Sequence, residues 1–248
     1  MSTNLKVVFH LLTEMIIPDH PIPFDALLMK AKTVKDGCPL DEEPHSFGPV
    51  EIPIERHLLY SSLYLASVGF IRSSGRNTQF YTKRYYGDVP EKTDLTGGYF
   101  KSYHVRPYTL IPPTTVTFYV RGDKALINEL VSYIPALGPK RSQGYGKVGG
   151  IVISEISEDR SWIYKDQPMR TIPITYYPEK TTEWYYTLIN PVPPSYTSYQ
   201  SELCYLPHPR DWISSVAYNQ DVTSSLTHRP KKVDRPGRRP IWDQISEE

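Results

Sequence analysis

Along residues 5–12, Leu5, Val7, Phe9 and Leu11 alternate with Lys6, Val8, His10 and Leu12, and this period of two predicts a strand buried chiefly on one face. After a proline-rich turn at 18–23, Phe24, Leu27, Leu28 and Ala31 recur at i, i+3, i+4 and i+7, which is one face of a helix. Residues 33–53 are polar and carry Gly37, Pro39, Pro44, Gly48 and Pro49, the composition of a loop. The apolar, aromatic run 58–70 predicts a strand or a strand pair. Clean alternation returns at 115–121, with Val116, Phe118 and Val120 on one side and Thr117, Tyr119 and Arg121 on the other. Asp123 suits the N-cap of a helix whose Leu126, Ile127, Leu130, Val131 and Ile134 recur at helical spacing, ending at Pro135 and Gly138. Residues 151–156 read as a closing strand.

Strand, helix, strands, helix, strand is the order of a ferredoxin-like (RRM-like) α+β domain, an antiparallel sheet with two helices on one face and the other face left open. The expected domain is 1–160. Within it, 71–113 is basic and tyrosine-rich and reads as an insertion reaching out from the core. Residues 161–228 form a Pro/Tyr-rich extension expected to pack back on the domain, and 229–248 a basic tail whose composition cannot build a core.

Composition sharpens this picture. Twenty-four prolines and 20 tyrosines favour strands joined by irregular connections over long helices. No apolar run approaches the roughly 18 residues of a membrane-spanning helix, and the amino terminus reads as a strand and not as a secretory leader, so the expected location is the cytoplasm, with no membrane partner. Cys38 and Cys204 alone make neither a disulfide framework nor a four-ligand zinc site, and buried free thiols are the expectation. The near-neutral total hides a segregation: residues 61–150 hold twelve Lys/Arg against five Asp/Glu. One surface facing a polyanion follows from such a distribution.

The densest chemistry lies in 138–150, LGPKRSQGYGKVGG with its preceding leucine. Gly144, Gly146 and Gly149 satisfy G-x-G-x-x-G, but a dinucleotide fingerprint follows a strand and opens a helix, and here the order is reversed. A Walker loop needs Lys and then Ser or Thr after its last glycine, whereas Gly149 is followed by Gly150 and Ile151. No nucleotide cofactor or metal is expected. Lys140 and Arg141 supply charge, Gly144 and Gly146 let a phosphate approach backbone amides, and Tyr145 offers a stacking face, a combination suited to a single nucleic-acid strand. The plainer alternative is a helix C-terminus with cations against its dipole and a glycine turn.

A loop of this kind between the second helix and last strand of a ferredoxin-like domain resembles the signature of the CRISPR-associated RAMP superfamily of RNA-binding proteins. With FDALLMKA at 24–31, IPIER at 52–56, FYVRGD at 118–123 and PMRTIPI at 168–174, the chain resembles the Cas-five-type subunits of type IV CRISPR effector complexes over residues 5–175. The resemblance implies a non-catalytic subunit without cofactor that caps the five-prime handle of the guide RNA and seeds a filament of backbone RAMP subunits. It implies the large subunit as a further partner and target DNA near the protospacer-adjacent motif as another candidate. It implies RNA contact at Lys140, Arg141, Ser142, Gln143, Gly144, Tyr145, Gly146 and Lys147, and a thumb in the basic insertion that adds Arg72, Arg76, Lys83 and Arg84. Arg56 falls in a matching block, although a structural ion pair with Glu55 accounts for it equally well.

Some RAMP relatives cut RNA without metal through a histidine, so the alternative is a metal-independent endoribonuclease that processes the repeat RNA, with His10, His57 or His104 as the acid–base group. A lone histidine is more often structural, and no spacing among the seven histidines and the carboxylates resembles a metal site. RSQGYGKV also echoes the aromatic motif of an RNA-recognition domain, but that motif precedes the second helix and this one follows it. The polybasic tail suits any polyanion, and tyrosine-rich strands also suit subunit interfaces.

Overall fold

In the computed structural model, which describes residues 2–18, 20–37, 50–78, 81–83, 103–105, 108–180, 183–191 and 201–215, the alternating amino-terminal stretch forms strand β1 (Ser2–Leu11). Leu5, Val7, Phe9 and Leu11 are buried, as their spacing predicts. Two two-residue or longer pieces precede the sheet's second long strand: β2 (Met15–Ile16) and helix α1 (Phe24–Lys35), which runs one turn past the predicted loop boundary. Strands β3 (Phe70–Thr78), β4 (Tyr81–Lys83), β5 (Tyr103–Val105) and β6 (Tyr108–Asp123) follow, then helix α2 (Lys124–Val131) and strand β7 (Val148–Glu155). The order across the sheet is β3-β6-β1-β7 and all three pairings are antiparallel, the ferredoxin-like arrangement.

The core lies between this sheet and the two helices. Phe118 of β6 sits at its centre, edge-on to Phe9 at 5.6 Å and stacked on Phe24 of α1 at 4.8 Å. Leu28 and Ala31 of α1 and Ile127, Leu130 and Val131 of α2 close the layer. Each large side chain fully removed from water there contributes roughly 1.5–3 kcal/mol. The Asp123 carboxylate caps α2 as expected, accepting from the Ala125 and Leu126 N–H groups at 3.0 and 3.1 Å. The helix stops at Val131 and not at Ile134, because a helix continued through Pro135 would drive its ring into the Val131 carbonyl, which instead accepts from the Ile134 N–H. Ile134 is nonetheless buried.

Three expectations are revised. The run 58–70 is not a strand until Phe70; it follows the end of β6 through isolated bridges such as Ala66 to Val120. Ser67 explains the break, since its hydroxyl, and not a ladder carbonyl, accepts the Tyr119 N–H at 2.8 Å. The flanks of the 71–113 segment are strands of the central sheet: β3 pairs with β6 from Phe70 opposite Thr117 to Thr78 opposite Tyr108, and β4 pairs with β5 beyond them. The far sheet face is not open, because residues 160–169, including β8 (Ile163–Tyr164) and β9 (Gln167–Pro168), line a groove with it.

The remainder of the extension holds β10 (Ile172–Pro173), β11 (Tyr186–Ile189) and β12 (Glu202–Tyr205), which form a small sheet in the order β10-β12-β11. A short helix, α3 (Pro209–Trp212), leads into β13 (Ile213–Ser215), which adds to β3 in parallel. The chain divides into Met1–Ala217 and Tyr218–Glu248; the second unit, with the 229–248 tail, lies outside the described residues. Among the described residues, no helix is long and apolar enough to cross a membrane.

Candidate nucleic-acid interface

The glycine loop leaves α2 through the buried Leu137 and turns at Gly138, whose φ is 83°. Lys140 takes a left-handed conformation, φ 55°, and starts a single 3-10 turn over Arg141–Gln143 that closes at Gly144. The Gln143 and Gly144 N–H groups donate to the Lys140 and Arg141 carbonyls at 2.9 and 3.0 Å. Gly146, at φ 65°, fixes the other side of the loop: a Cβ there would strike the Leu137 carbonyl. Its N–H donates to the Glu14 carbonyl at 2.8 Å, and its own carbonyl accepts from Leu137 N–H at 2.9 Å.

A residue that sequence reasoning missed completes the clamp. The Thr13 hydroxyl donates to the Gly144 carbonyl at 2.8 Å and accepts from the Lys147 N–H at 2.9 Å. The loop is therefore held at both ends by β1 and its following turn, while Arg141, Ser142, Gln143, Gly144 and Lys147 face solvent and Tyr145 is half-buried. Such a loop has little conformational freedom left to lose on meeting a ligand.

Beside the loop runs a groove of about 800 Å³, bounded on the far side by Leu27, Lys30, Ala31 and Val34 of α1. Lys30, Lys140, Arg141 and Lys147 are among its lining residues, and among the described residues no Asp or Glu lines it. The Lys30 ammonium has its pKa lowered, first by burial and then by the charge of Arg141. Cations crowded in this way attract an anion strongly. Lys30 was not singled out by sequence because its spacing on α1 marks only an exposed helix position; its neighbour Arg141 is 111 positions away.

Arg72 and Arg76 of the insertion do not line the groove beside the loop. Arg72 lies on β3 opposite Thr115 with its side chain exposed, Arg76 is half-buried opposite Leu110, and Lys83 is in β4 opposite Tyr103. Arg84 lies outside the described residues. Three other motif arginines are structural joints. Arg121 pairs with Glu55 at 2.7 Å, so Glu55 is taken by that partner and not by Arg56. Arg56 donates to the Ser61 carbonyl and the Tyr64 hydroxyl, both at 2.9 Å. Arg170, 2% exposed, is ion-paired with the buried Asp25 at 3.3 Å and donates to the carbonyls of Tyr64, Thr171 and Pro191.

Of the candidate acid–base groups, His10 is exposed on β1, and His104 is in β5 with only its backbone described. His57 packs against both Tyr60 and Trp162, ring centroids 4.9 and 4.2 Å away, and burial together with Arg170 lowers its pKa. Among the described residues no three His, Cys, Asp or Glu side chains form a metal-binding group. Burial pushes the Cys204 thiol up to about 12, which keeps it protonated and inert, while Cys38 lies outside the described residues.

Fold and site together define an α+β, ferredoxin-like domain that presents a clamped, cationic glycine loop. No family model matches the sequence, and no curated protein matches it. Among solved structures, the chain is similar to one in the cryo-EM structure of the Type III-B Cmr-beta bound to cognate target RNA, with 15% identity and a TM-score of 0.40 over 62% of this chain and 61% of that one.

Proposed function

We propose that this chain is a non-catalytic subunit that grips the sugar-phosphate chain of a single RNA strand in the groove between the glycine loop and α1. The observation that carries the reading is the groove itself, where Lys30, Lys140, Arg141 and Lys147 converge and the loop is clamped by Thr13. The ordered sequence blocks support a finer statement: a Cas-five-type subunit of a type IV CRISPR effector complex, capping the five-prime handle of the guide RNA. Backbone RAMP subunits, the large subunit and target DNA near the protospacer-adjacent motif are the partners that belong to this role.

Binding of handle RNA measured against salt tests it. Lys140→Ala and Arg141→Ala should each weaken binding and flatten the log–log salt slope by about 0.7, the value of one lost single-strand phosphate contact. An unchanged slope in both variants overturns the assignment. Repeat RNA incubated with the pure protein in chelator should stay intact; site-specific cleavage that His57→Ala abolishes would put an endoribonuclease in its place.

A further inference from the structure

The sheet face turned away from α1 and α2 holds a second groove, of about 550 Å³, that the loop reading does not use. Its floor follows from strand register: Lys6 lies opposite Tyr119, Val8 and Phe70 lie opposite Thr117, and Arg72 lies opposite Thr115. The β8–β9 hairpin supplies the opposite wall with Tyr164 and Gln167. Lys165 and Asp166, the two residues of its turn, have φ of 49° and 57°, a left-handed pair that tight hairpins require and that non-glycine residues rarely adopt. The turn leaves Lys165 lining the groove while the Asp166 carboxylate is occupied by Lys180 at 3.0 Å.

The chemistry of the walls is specific. Arg160 lies 4.2 Å from the Tyr164 ring and 5.7 Å from the Tyr119 ring, and its guanidinium is anchored to Glu158 at 2.7 Å. Around these rings stand Lys6, Arg72 and Lys165, with Asp211 as the sole carboxylate among the described lining residues. Threonine hydroxyls and an amide offer hydrogen bonds between the rings and the cations. A hydrophobic core would not leave such a volume lined with cations, and a purely electrostatic patch would not need flanking tyrosines.

We infer that this groove takes one unstacked base of a single-stranded nucleic acid against Tyr119 or Tyr164, with its flanking phosphates at Lys6, Arg72 and Lys165. The volume falls within the range of small-ligand sites and accommodates a nucleotide. Register also supplies a route from the first groove. His10 lies opposite both Gly150 and Thr115, and Thr115 lies opposite Arg72, so one row of residues crosses the sheet beside the end of β1 that Thr13 ties to the loop. The inference deepens the RNA-binding reading but stands on the opposite face of the sheet.

Photocrosslinking the unmodified full chain to an eight-residue oligouridine carrying 5-iodouridine, and to its deoxyuridine counterpart, tests it. Crosslinks at Tyr119 or Tyr164 with either strand are expected, and the strand that gives them identifies the sugar. Tyr164→Leu should weaken binding about tenfold, the size of one lost base–aromatic stack, without changing the salt slope. Crosslinks confined to residues 138–147, with Tyr164→Leu binding like the parent, overturn this inference and leave the loop reading standing. Crosslinks in the sheet groove with Lys140→Ala and Arg141→Ala silent would do the reverse. No crosslink at either face overturns both.

Discussion

Arg170 and Arg141 both sit in sequence blocks that carry the family resemblance, yet the fold puts them to opposite uses. Arg170 is enclosed: a carboxylate and three carbonyls surround its guanidinium, tying the extension to the first turn of α1 and to the Tyr64 segment. Arg141 is exposed on a rigid turn, beside a groove lined with other cations and, among the described residues, with no carboxylate. The surroundings of a cation are therefore set by the acceptors that the fold brings to it, and membership of a motif does not distinguish a buried joint from an exposed cation.

The largest test of this contrast is at the joint. Arg170→Ala removes the cation that pairs with the buried Asp25, which should cost about 3–5 kcal/mol, a large share of the stability of an ordinary protein. Replacing both partners, Arg170→Met with Asp25→Leu, should recover much of that loss because no charge is left buried. Urea midpoints of the three proteins decide it; a single variant as stable as the parent breaks the contrast, since it would make Arg170 dispensable to the fold.

Next in size is the loop's own geometry. Gly146→Ala places a methyl group against the Leu137 carbonyl at a left-handed φ, and should lower the melting temperature by about 4–8 °C for a cost near 2 kcal/mol. RNA affinity should fall with it although Lys140 and Arg141 are untouched. Gly144→Ala is the control, because its φ is also positive at 89° but its Cβ would meet nothing within 4 Å. Equal losses from the two substitutions would show that left-handed strain, and not the approach to Leu137, fixes the loop.

Much of the joint's scaffold was legible in sequence, and much of both sites was not. The periods of β1, β6, α1 and α2 report which side of each element is buried, so Phe9, Phe24, Phe118 and Ile127 could be placed before any coordinates. Gly144 and Gly146 were singled out as room for a phosphate at their amides, whereas both N–H groups donate within the fold, to the Arg141 and Glu14 carbonyls, and positive φ is what calls for glycine there. The Arg170 to Asp25 pair spans 145 positions and the Thr13 to Gly144 bond spans 131, and neither leaves a local pattern. Ser67 shows a third limit: an apolar run predicted a strand, but one hydroxyl took the place of a backbone acceptor and ended the ladder.

Thr13 offers a gentler test of the loop. Thr13→Val removes two hydrogen bonds at a partly exposed site, for which about 1 kcal/mol, or roughly 2–4 °C of melting temperature, is expected. The measurement that matters is the salt dependence of RNA binding. If the loop cations act from a fixed frame, affinity should drop while the slope stays at the parent's value, because the same phosphates are still neutralised when the strand is bound. A flattened slope would mean that the clamp decides which cations reach the strand.

The smallest expected effect links the joint to its surroundings through His57. Burial first, and the Arg170 charge second, lower its pKa, so the folded state binds the proton less readily than the unfolded chain does. The stabilisation from neutral His57 is therefore complete above about pH 6.5, the unfolded value, and is lost as pH falls through the lower folded value. Urea midpoints should decline between pH 7.5 and 5.5, and His57→Gln should flatten that decline. In the paired Arg170→Met, Asp25→Leu protein the imidazole should titrate slightly higher by NMR, since the nearby positive charge is gone and the burial remains. A pKa that does not move would confine the influence of Arg170 to the atoms that accept its hydrogen bonds. A rise all the way to the ordinary histidine value would instead assign the whole shift to the joint and none to the stack of Tyr60 and Trp162.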